Sequence, residues 1–400
     1  MKAGWQRRQL GELAELRGRI GWRGLTAKEY TETGPLFVSV HSLNYGDYVD
    51  FRDAFHISDE RYVESPEIML QKDDVLICKD GAGIGKLGIV GELPDRATIN
   101  SSLLLIRSGA EILPKFLYRC LSSPYFQDIV GSRLNGATTP HLYQRDITEF
   151  PVVLPPLPEQ HRIVAILDEA FDGIAPAKAN AEKNLQNARA LFESHLQSVL
   201  RNKKWKWKTL GELCDDVEYG SSAKSKAEGG VPVLRMGNIQ NGKLDWENLV
   251  YTDDKAEIQK YLLKHNDVLF NRTNSPELVG KTAIYKGEMP AIFAGYLIRI
   301  HRKEDLLDAD YLTYFMNSPI AFDYGKTVVI SSVNQANING TKLKSYPIPA
   351  PSLSDQKVIV AKLNDLSEET QRLQSIYQQK LTAFDDLKKS LLHQAFSGQL

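Results

Sequence analysis

PVVLPPLPEQHRIVAIL, residues 151–167, returns as PIPAPSLSDQKVIVAKL at residues 347–363, a displacement of 196. Each copy runs from a short apolar strand-like segment through a proline-rich turn to an acidic residue, a glutamine and helical apolar spacing. Working outward, LGEL at 10–13 returns at 210–213, DVL at 74–76 at 267–269, and GKLGIV at 85–90 meets GKTAIY at 280–285. Ser123-Pro124 meets Ser318-Pro319, and Leu191, Ser194 and Leu196 meet Leu387, Ser390 and Leu392. The unit of repetition is about half of the 400-residue chain. A shared scaffold with divergent loops presents two related surfaces able to recognise two different things.

Each half divides again. Residues 1–158 and 201–354 carry short β-like runs (FVSV, DVLIC, LLLIR; VPVLRM, DVLF, AIFAGYLIRI) broken by Gly, Asn, Asp and Pro, with short helical stretches between. They read as two mixed α/β (α+β) globules. Residues 159–200 and 355–400 read as two long helices, with Pro158 placed for N1 and Ser354 for an N-cap, and Gly173 and Pro176 predict a kink in the first. In the second, Ile359, Leu363, Leu366, Thr370, Leu373, Tyr377, Lys380, Phe384, Leu387 and Leu391 follow a heptad spacing. Subtracting 196 gives Ile163, Leu167, Ala170, Ile174, Ala177, Ala181, Asn184, Ala188, Leu191 and His195. A small seam opposite a bulky one predicts that the two helices pack as a coiled-coil pair about 60 Å long.

Lys plus Arg is 49 and Asp plus Glu is 50, so a chain that grips nucleic acid unaided is disfavoured and any positive charge must be local or supplied by partners. Three distant cysteines, with no CxxC, make neither a disulfide framework nor a zinc site. With no apolar run near 18 residues and no signal-like start, the expected location is the cytoplasm.

No motif supplies catalytic chemistry. Gly83-Ile84-Gly85-Lys86-Leu87-Gly88 satisfies GxGxxG, but the next residues, Ile89 to Pro94, cannot open a helix, so a turn between strands is expected. Leu87 also stands where a P-loop needs Ser or Thr, no Asp-Pro-Pro-Tyr loop occurs, and Asp253 and Lys255 lack an upstream acid. Metal ligands and catalytic residues are therefore expected to be absent. The basic run RNKKWKWK at 201–208 reads as the start of the second globule, since Trp5 holds a similar place before the first LGEL.

Polar loops after predicted strands suit base readout better, because Arg and Lys can fork onto guanine and Asn and Gln onto adenine. The DNA-binding candidates are Lys79, Lys86, Arg133, Thr138, Thr139 and His141 in the first half. In the second they are Arg235, Asn238, Arg272, Thr273, Asn274, Lys281, Gln335 and Asn337.

Globule, proline-rich strand, PPLPEQHRIVAILD, long helix, and then the same order ending in SLLHQAFSGQL together resemble the specificity (S) subunit of type I restriction-modification systems, over essentially the whole chain. WxxxxLGEL, DVLICKDGAGIGKLGIV and INGTKLKSYPIPAPSLSDQ carry the resemblance. It implies two target-recognition domains, each reading half of a bipartite site on double-stranded DNA, and an antiparallel helix pair that sets the unread gap. It also implies two methyltransferase (M) subunits docked on the helices and restriction (R) subunits joining through them. S-adenosylmethionine, ATP and Mg would belong to those partners, with no cofactor or catalytic residue on this chain. A DNA-independent coiled-coil scaffold and a stand-alone DNA-modifying enzyme are the alternatives.

Overall fold

The computed structural model describes residues 2, 4–19, 25–134, 141–332 and 335–400. It divides into two compact units, Met1–Ala181 with Gln379–Leu400, and Glu182–Gln378. Each unit takes one globule, the start of one long helix and the end of the other, so the helices do not stand apart from the globules as separate bodies.

Both globules are built the same way. In the first, an antiparallel four-stranded sheet has the order Ala14–Arg17, Leu103–Ser108, Val75–Cys78, Leu87–Ile89. A second sheet has Thr31–Val38 between Phe55–His56 and a parallel neighbour, Ala97–Ile99. In the second globule Cys214–Tyr219, Leu297–Arg302, Val268–Asn271 and Thr282–Ile284 repeat the first sheet. Val250–Thr252, Val231–Leu234 and Ile292–Phe293 repeat the second, including its parallel pair.

The unbroken apolar runs of the DVL segments arise from sheets covered on both faces. Val75 and Ile77 pack into the core shared with the long helices, whereas Leu76 and Cys78 pack toward the three-stranded sheet. Val268 and Phe270 divide from Leu269 in the same way. The aspartate of DVL is structural. Asp74, 1% exposed, accepts from Gln71 N at 2.7 Å and pairs with both Nε and Nη2 of Arg107, which also donates to Met69 O. Asp267 repeats this with Lys264 N and Arg299, whose Nη1 also donates to Leu262 O. Asp74→Ala is expected to cost about 3 kcal/mol, because it strands a guanidinium against a covered turn. Chemical denaturation is the check, and a loss below about 1 kcal/mol would contradict the role.

LGEL forms a one-turn helix in each globule, Leu10–Leu13 and Leu210–Leu213, with both leucines of each buried. A Cβ at Gly11 would lie 2.4 Å from the Thr148 methyl, so glycine is required by the helix packed above it. The preceding strands, Gln6–Gln9 and Trp207–Thr209, pair antiparallel with Pro151–Leu154 and Pro347–Pro349, which tie the start of each globule to the entrance of its long helix.

The first long helix runs from Leu157 to Leu200 and the second from Leu353 to Ser397, each about 66 Å long. The first is continuous through Gly173 and Pro176. Both residues are exposed, so the proline ring and the carbonyl of Asp172 that loses its donor face water rather than the core. Ser352, not Ser354, caps the second helix, accepting from Asp355 N at 3.2 Å.

The glutamines of the repeated EQ and DQ pairs are anchors. Gln160 is fully buried; its Oε1 accepts from Leu113 N and its Nε2 donates to Glu111 O and Pro155 O, all at 2.9 Å. Gln356, equally buried, accepts from Asp308 N at 2.8 Å and donates to Leu306 O and Pro351 O at 2.8 and 3.0 Å. Each locks the first helical turn to the loop before the globule's own helix, Pro114–Leu121 or Ala309–Met316.

The seam differs from the heptad expectation. Ile163, Leu167, Ile174, Ile359 and Leu363 are buried, and Leu366, Leu373, Tyr377, Phe384 and Leu391 are half-buried. Leu191 and Leu387, however, are 49% and 45% exposed. The buried line in the first helix runs through Phe171, Ile174, Ala181, Leu185, Ala188, Leu196 and Leu200, with Phe192 half-buried; Ile174, Ala181 and Ala188 fall on the heptad count, whereas Phe171, Leu185, Phe192 and Leu196 lie one residue later. Ile163, Ile174, Leu185 and Leu196 recur every eleven residues, and 196 positions on so do Ile359, Thr370, Leu381 and Leu392. Eleven residues in three turns is about 3.67 per turn, close to a relaxed helix, so the contact line need not be held by underwinding. The first seam is consequently bulkier than the alanine-rich one expected.

Candidate nucleic-acid interface

In each globule the hairpin after the DVL strand presents a loop, residues 79–86 in the first and 272–281 in the second. Their roots are closed alike: Cys78 N donates to Lys86 O and Gly85 N to Cys78 O, as Asn271 N does to Lys281 O and Gly280 N to Asn271 O. Gly85 and Gly280 have φ of 83° and 97°, which accounts for the repeated Gly-Lys pair, since this turn strains any residue with a Cβ. The GxGxxG segment is thus a turn, leading into the strand Leu87–Ile89 as expected.

The lysines of this pair take equivalent places. Lys86 Nζ donates to Asn44 Oδ1 at 2.6 Å and Lys281 Nζ to Gln240 Oε1 at 3.3 Å. At the mouth of the first loop Asp80 bridges to His141 in backbone and side chain, and Lys79 Nζ lies 3.6 Å from Asp80. At the mouth of the second, Thr273 and Asn337 pair in the same antiparallel sense, and Asn337 Nδ2 donates to Thr273 Oγ1 at 2.8 Å. Arg272 lies over the Tyr219 ring at 4.9 Å and donates to Gly295 O at 3.2 Å and Asn337 Oδ1 at 3.4 Å. Asn274 Oδ1 accepts from Ser275 N at 2.8 Å.

The fold therefore gathers Lys79, Lys86 and His141 on one loop cluster, and Arg272, Thr273, Asn274, Lys281 and Asn337 on its counterpart. Asn238 and Arg235 lie outside these clusters, and Thr273 lies within its cluster but is covered. Asn238 is buried, its Oδ1 accepting from Arg235 N and its Nδ2 donating to Asp245 O and Glu247 O, so its amide braces a loop and is not available to a base. Thr273 is also buried and serves Asn337 from beneath. Arg235 donates to Asn248 O at 2.7 Å. Thr138 and Thr139, and the side chains of Arg133 and Gln335, lie outside the described residues.

Sequence reasoning passed over Asn44, Gln240, Tyr219 and Tyr143, all of which the fold brings to these clusters. Tyr143 is 60% exposed with its ring 4.6 Å from that of His141. Tyr45, also exposed, carries Arg52 over its ring at 5.3 Å, close in sequence to Asn44. Aromatic residues interleaved with basic ones in these loops were the available signal. Among the described residues no group of His, Cys, Asp and Glu could hold a metal ion. No helix among them is long and apolar enough to cross a membrane.

In the first unit the globule also grips the long helix through charge. Arg119, almost buried, pairs with Asp168 at 2.8 Å and Asp47 at 2.7 Å, with its guanidinium 4.7 Å from the Phe171 ring. Burial alone would raise the Asp168 carboxyl, but hydrogen bonds from Arg119 and Lys115 outweigh it and hold it below its ordinary value. Glu159, at the head of the helix, is held at about 2 by hydrogen bonds from Arg162 and Lys2. Both folded values lie below the unfolded ones, so their stabilisation is present above about pH 4 and is lost as pH falls through the folded values. Melting temperature measured from about pH 5 down to about pH 2 should drop, and the Asp168→Asn protein should show a shallower drop. Equal slopes would contradict the assignment.

The family model described as "Type I restriction modification DNA specificity domain" matches twice, over residues 2–184 and 202–381. The chain is 23% identical over 403 residues to the type I restriction enzyme EcoKI specificity subunit of Escherichia coli (strain K12), covering 92% of this chain and 86% of that one. It is 29% identical over 197 residues to the putative type I restriction enzyme MjaX specificity subunit of Methanocaldococcus jannaschii, 48% of this chain and 45% of the other. Among solved structures, a chain from work on complex assembly and conformational transition of the type I R-M system covers 100% of this chain and 99% of its own, with TM-score 0.79 at 19% identity. The HsdS subunit from Thermoanaerobacter tengcongensis superimposes with TM-score 0.59, also at 19% identity, over 100% of this chain and 98% of that one. With both halves matched by one family model and the same fold built twice, this chain belongs to the DNA specificity family of type I restriction-modification systems.

Proposed function

We propose that each globule reads one half of a bipartite DNA site through its hairpin-mouth cluster, and that the long helices fix the unread gap between the halves. The observation that carries this is the pair of equivalent loop mouths, built on identical backbone hydrogen bonds but dressed with different side chains: Asp80, His141 and Lys79 against Thr273, Asn337 and Arg272. A common frame with different readers calls for two unlike half-sites. Phosphate contacts set register and base-edge contacts choose sequence.

In this reading the chain carries no catalytic group. Methyl transfer from S-adenosylmethionine, and ATP- and Mg-dependent restriction, fall to M and R subunits that join it on DNA in the cytoplasm. The near-zero net charge fits a reader whose grip on phosphate is shared with partners. Leu191 and Leu387, exposed on the two helices 196 positions apart, favour a partner that docks in two copies, consistent with two M subunits.

The test is a matched deletion of eleven residues, 175–185 with 371–381, which preserves both seams. The helices shorten by about 16 Å, so the gap in the methylated site should contract by about five base pairs at about 3.4 Å each, or specific methylation should vanish. An unchanged gap would contradict the ruler.

A further inference from the structure

We infer that positions 141 and 337 are one and the same specificity-determining position of the two globules, and that Asn337 reads an adenine in its half-site whereas His141 makes a single bond to its base. The inference rests on the DNA-recognition reading above and adds which residue reads which edge.

The two positions are equivalent by structure. Each sits in an antiparallel backbone pairing with the second residue after its hairpin root, Asp80 opposite His141 and Thr273 opposite Asn337. In each, that opposing residue holds the reader's side chain. Asp80 binds His141 Nδ1, and Thr273 Oγ1, in a buried side chain, accepts one amide hydrogen of Asn337. Asp80 and Thr273 are thus positioning residues. They fix which atoms of the reader remain for a ligand.

The atoms left over differ between the two. Asn337 keeps its second Nδ2 hydrogen and an Oδ1 engaged only by the 3.4 Å contact from Arg272. A donor and an acceptor side by side match the N7 acceptor and N6 donor of adenine in the major groove, and no other base offers that pair. His141 has given Nδ1 to Asp80 and keeps Nε2 alone. One bond discriminates less than two, so its base should be read loosely. The His141 side chain is itself 33% exposed, so it is accessible to a ligand.

The experiment is methylation mapping by long-read sequencing in cells expressing a methyltransferase subunit of the system with wild-type or variant chain, together with melting of each purified complex. With wild type, a bipartite motif is expected with an invariant adenine in one half. Asn337→Ala should relax discrimination at that one position by roughly 5- to 150-fold, leaving the other half-site unchanged. Thr273→Val, which removes only the hold on the amide, should relax the same position less. The double change Asp80→Thr with His141→Asn should introduce an adenine preference into the other half-site. Should Asn337→Ala fail to fold, the Thr273→Val and double-variant results decide. Well-folded variants whose motif is unchanged, or is altered in the wrong half-site, would overturn the inference while leaving the bipartite reading intact. Absence of any bipartite motif with wild type would overturn the bipartite reading itself and this inference with it.

Discussion

Gln160→Leu is expected to destabilise the first unit by about 3 kcal/mol, and Gln356→Leu the second by a similar amount, each leaving the other unit's own transition in place. Leucine fills the space but strands one backbone N–H and two carbonyls that are covered by the turn and the helix: Leu113 N, Glu111 O and Pro155 O, or Asp308 N, Leu306 O and Pro351 O. Orphaned buried groups cost about 1–3 kcal/mol each, partly relieved where water can enter. Glutamate should fare no better than leucine, since a carboxylate accepts from Leu113 N but cannot donate to the carbonyls. Denaturant melts with probes in each unit separate the two effects. A change below about 1 kcal/mol, or full rescue by glutamate, would show that the glutamine is a bystander.

The second large effect concerns specificity. Replacing residues 1–150 with the corresponding globule of another family member should change one half-site completely and leave the second half-site and the gap as they were. The exchange keeps the strand Pro151–Leu154, the buried Gln160 and the helix seam, so the mounting of the new globule is preserved. It does replace Arg119, Lys115 and Asp47, the globule's side of the ion cluster with Asp168, so a donor carrying basic residues at the first two of these places is the better choice. Methylated-motif mapping reads the outcome. A change in both half-sites would show that the globules do not read independently.

Much of the fold is legible in the sequence because the chain states it twice. Strand runs, proline-rich entrances and long helices can each be checked against a second copy, and the repeated Asp of DVL and Gly of Gly-Lys mark places where one residue type is required. Past Phe171 the heptad reading of the seam holds at Ile174, Ala181 and Ala188 but fails at Leu191 and Leu387, for a physical reason. A heptad count advances 3.5 residues per turn, a relaxed helix about 3.6, and over several turns the difference amounts to a residue, which moves the line from Leu191 and Leu387 onto Phe192 and Lys388. Lys388 is half-buried there, its ammonium 4.9 Å from the Phe171 ring.

The candidate site is legible only by region. Asn238 and Asn337 are the same residue type, yet one, closing a 3-10 turn, braces three backbone groups and the other, ending a short strand, is held with part of its amide free. The partners of Asn238 lie three to nine residues away and those of the Asn337 side chain sixty-four and sixty-five, a difference that residue type alone does not encode. Gln160 and Gln356 lie in the repeated stretch that decides the fold. Their residue type suits a helix N-terminus, and only the tertiary structure shows that both are buried anchors.

The most direct test of the central claim is a genome-wide map of DNA methylation in cells expressing the methyltransferase subunit with this chain, set against cells expressing that subunit alone. A gapped motif of two unlike half-sites, present only with the chain, is the predicted result. A motif identical with and without it, in cells where complex formation is verified, would contradict the account.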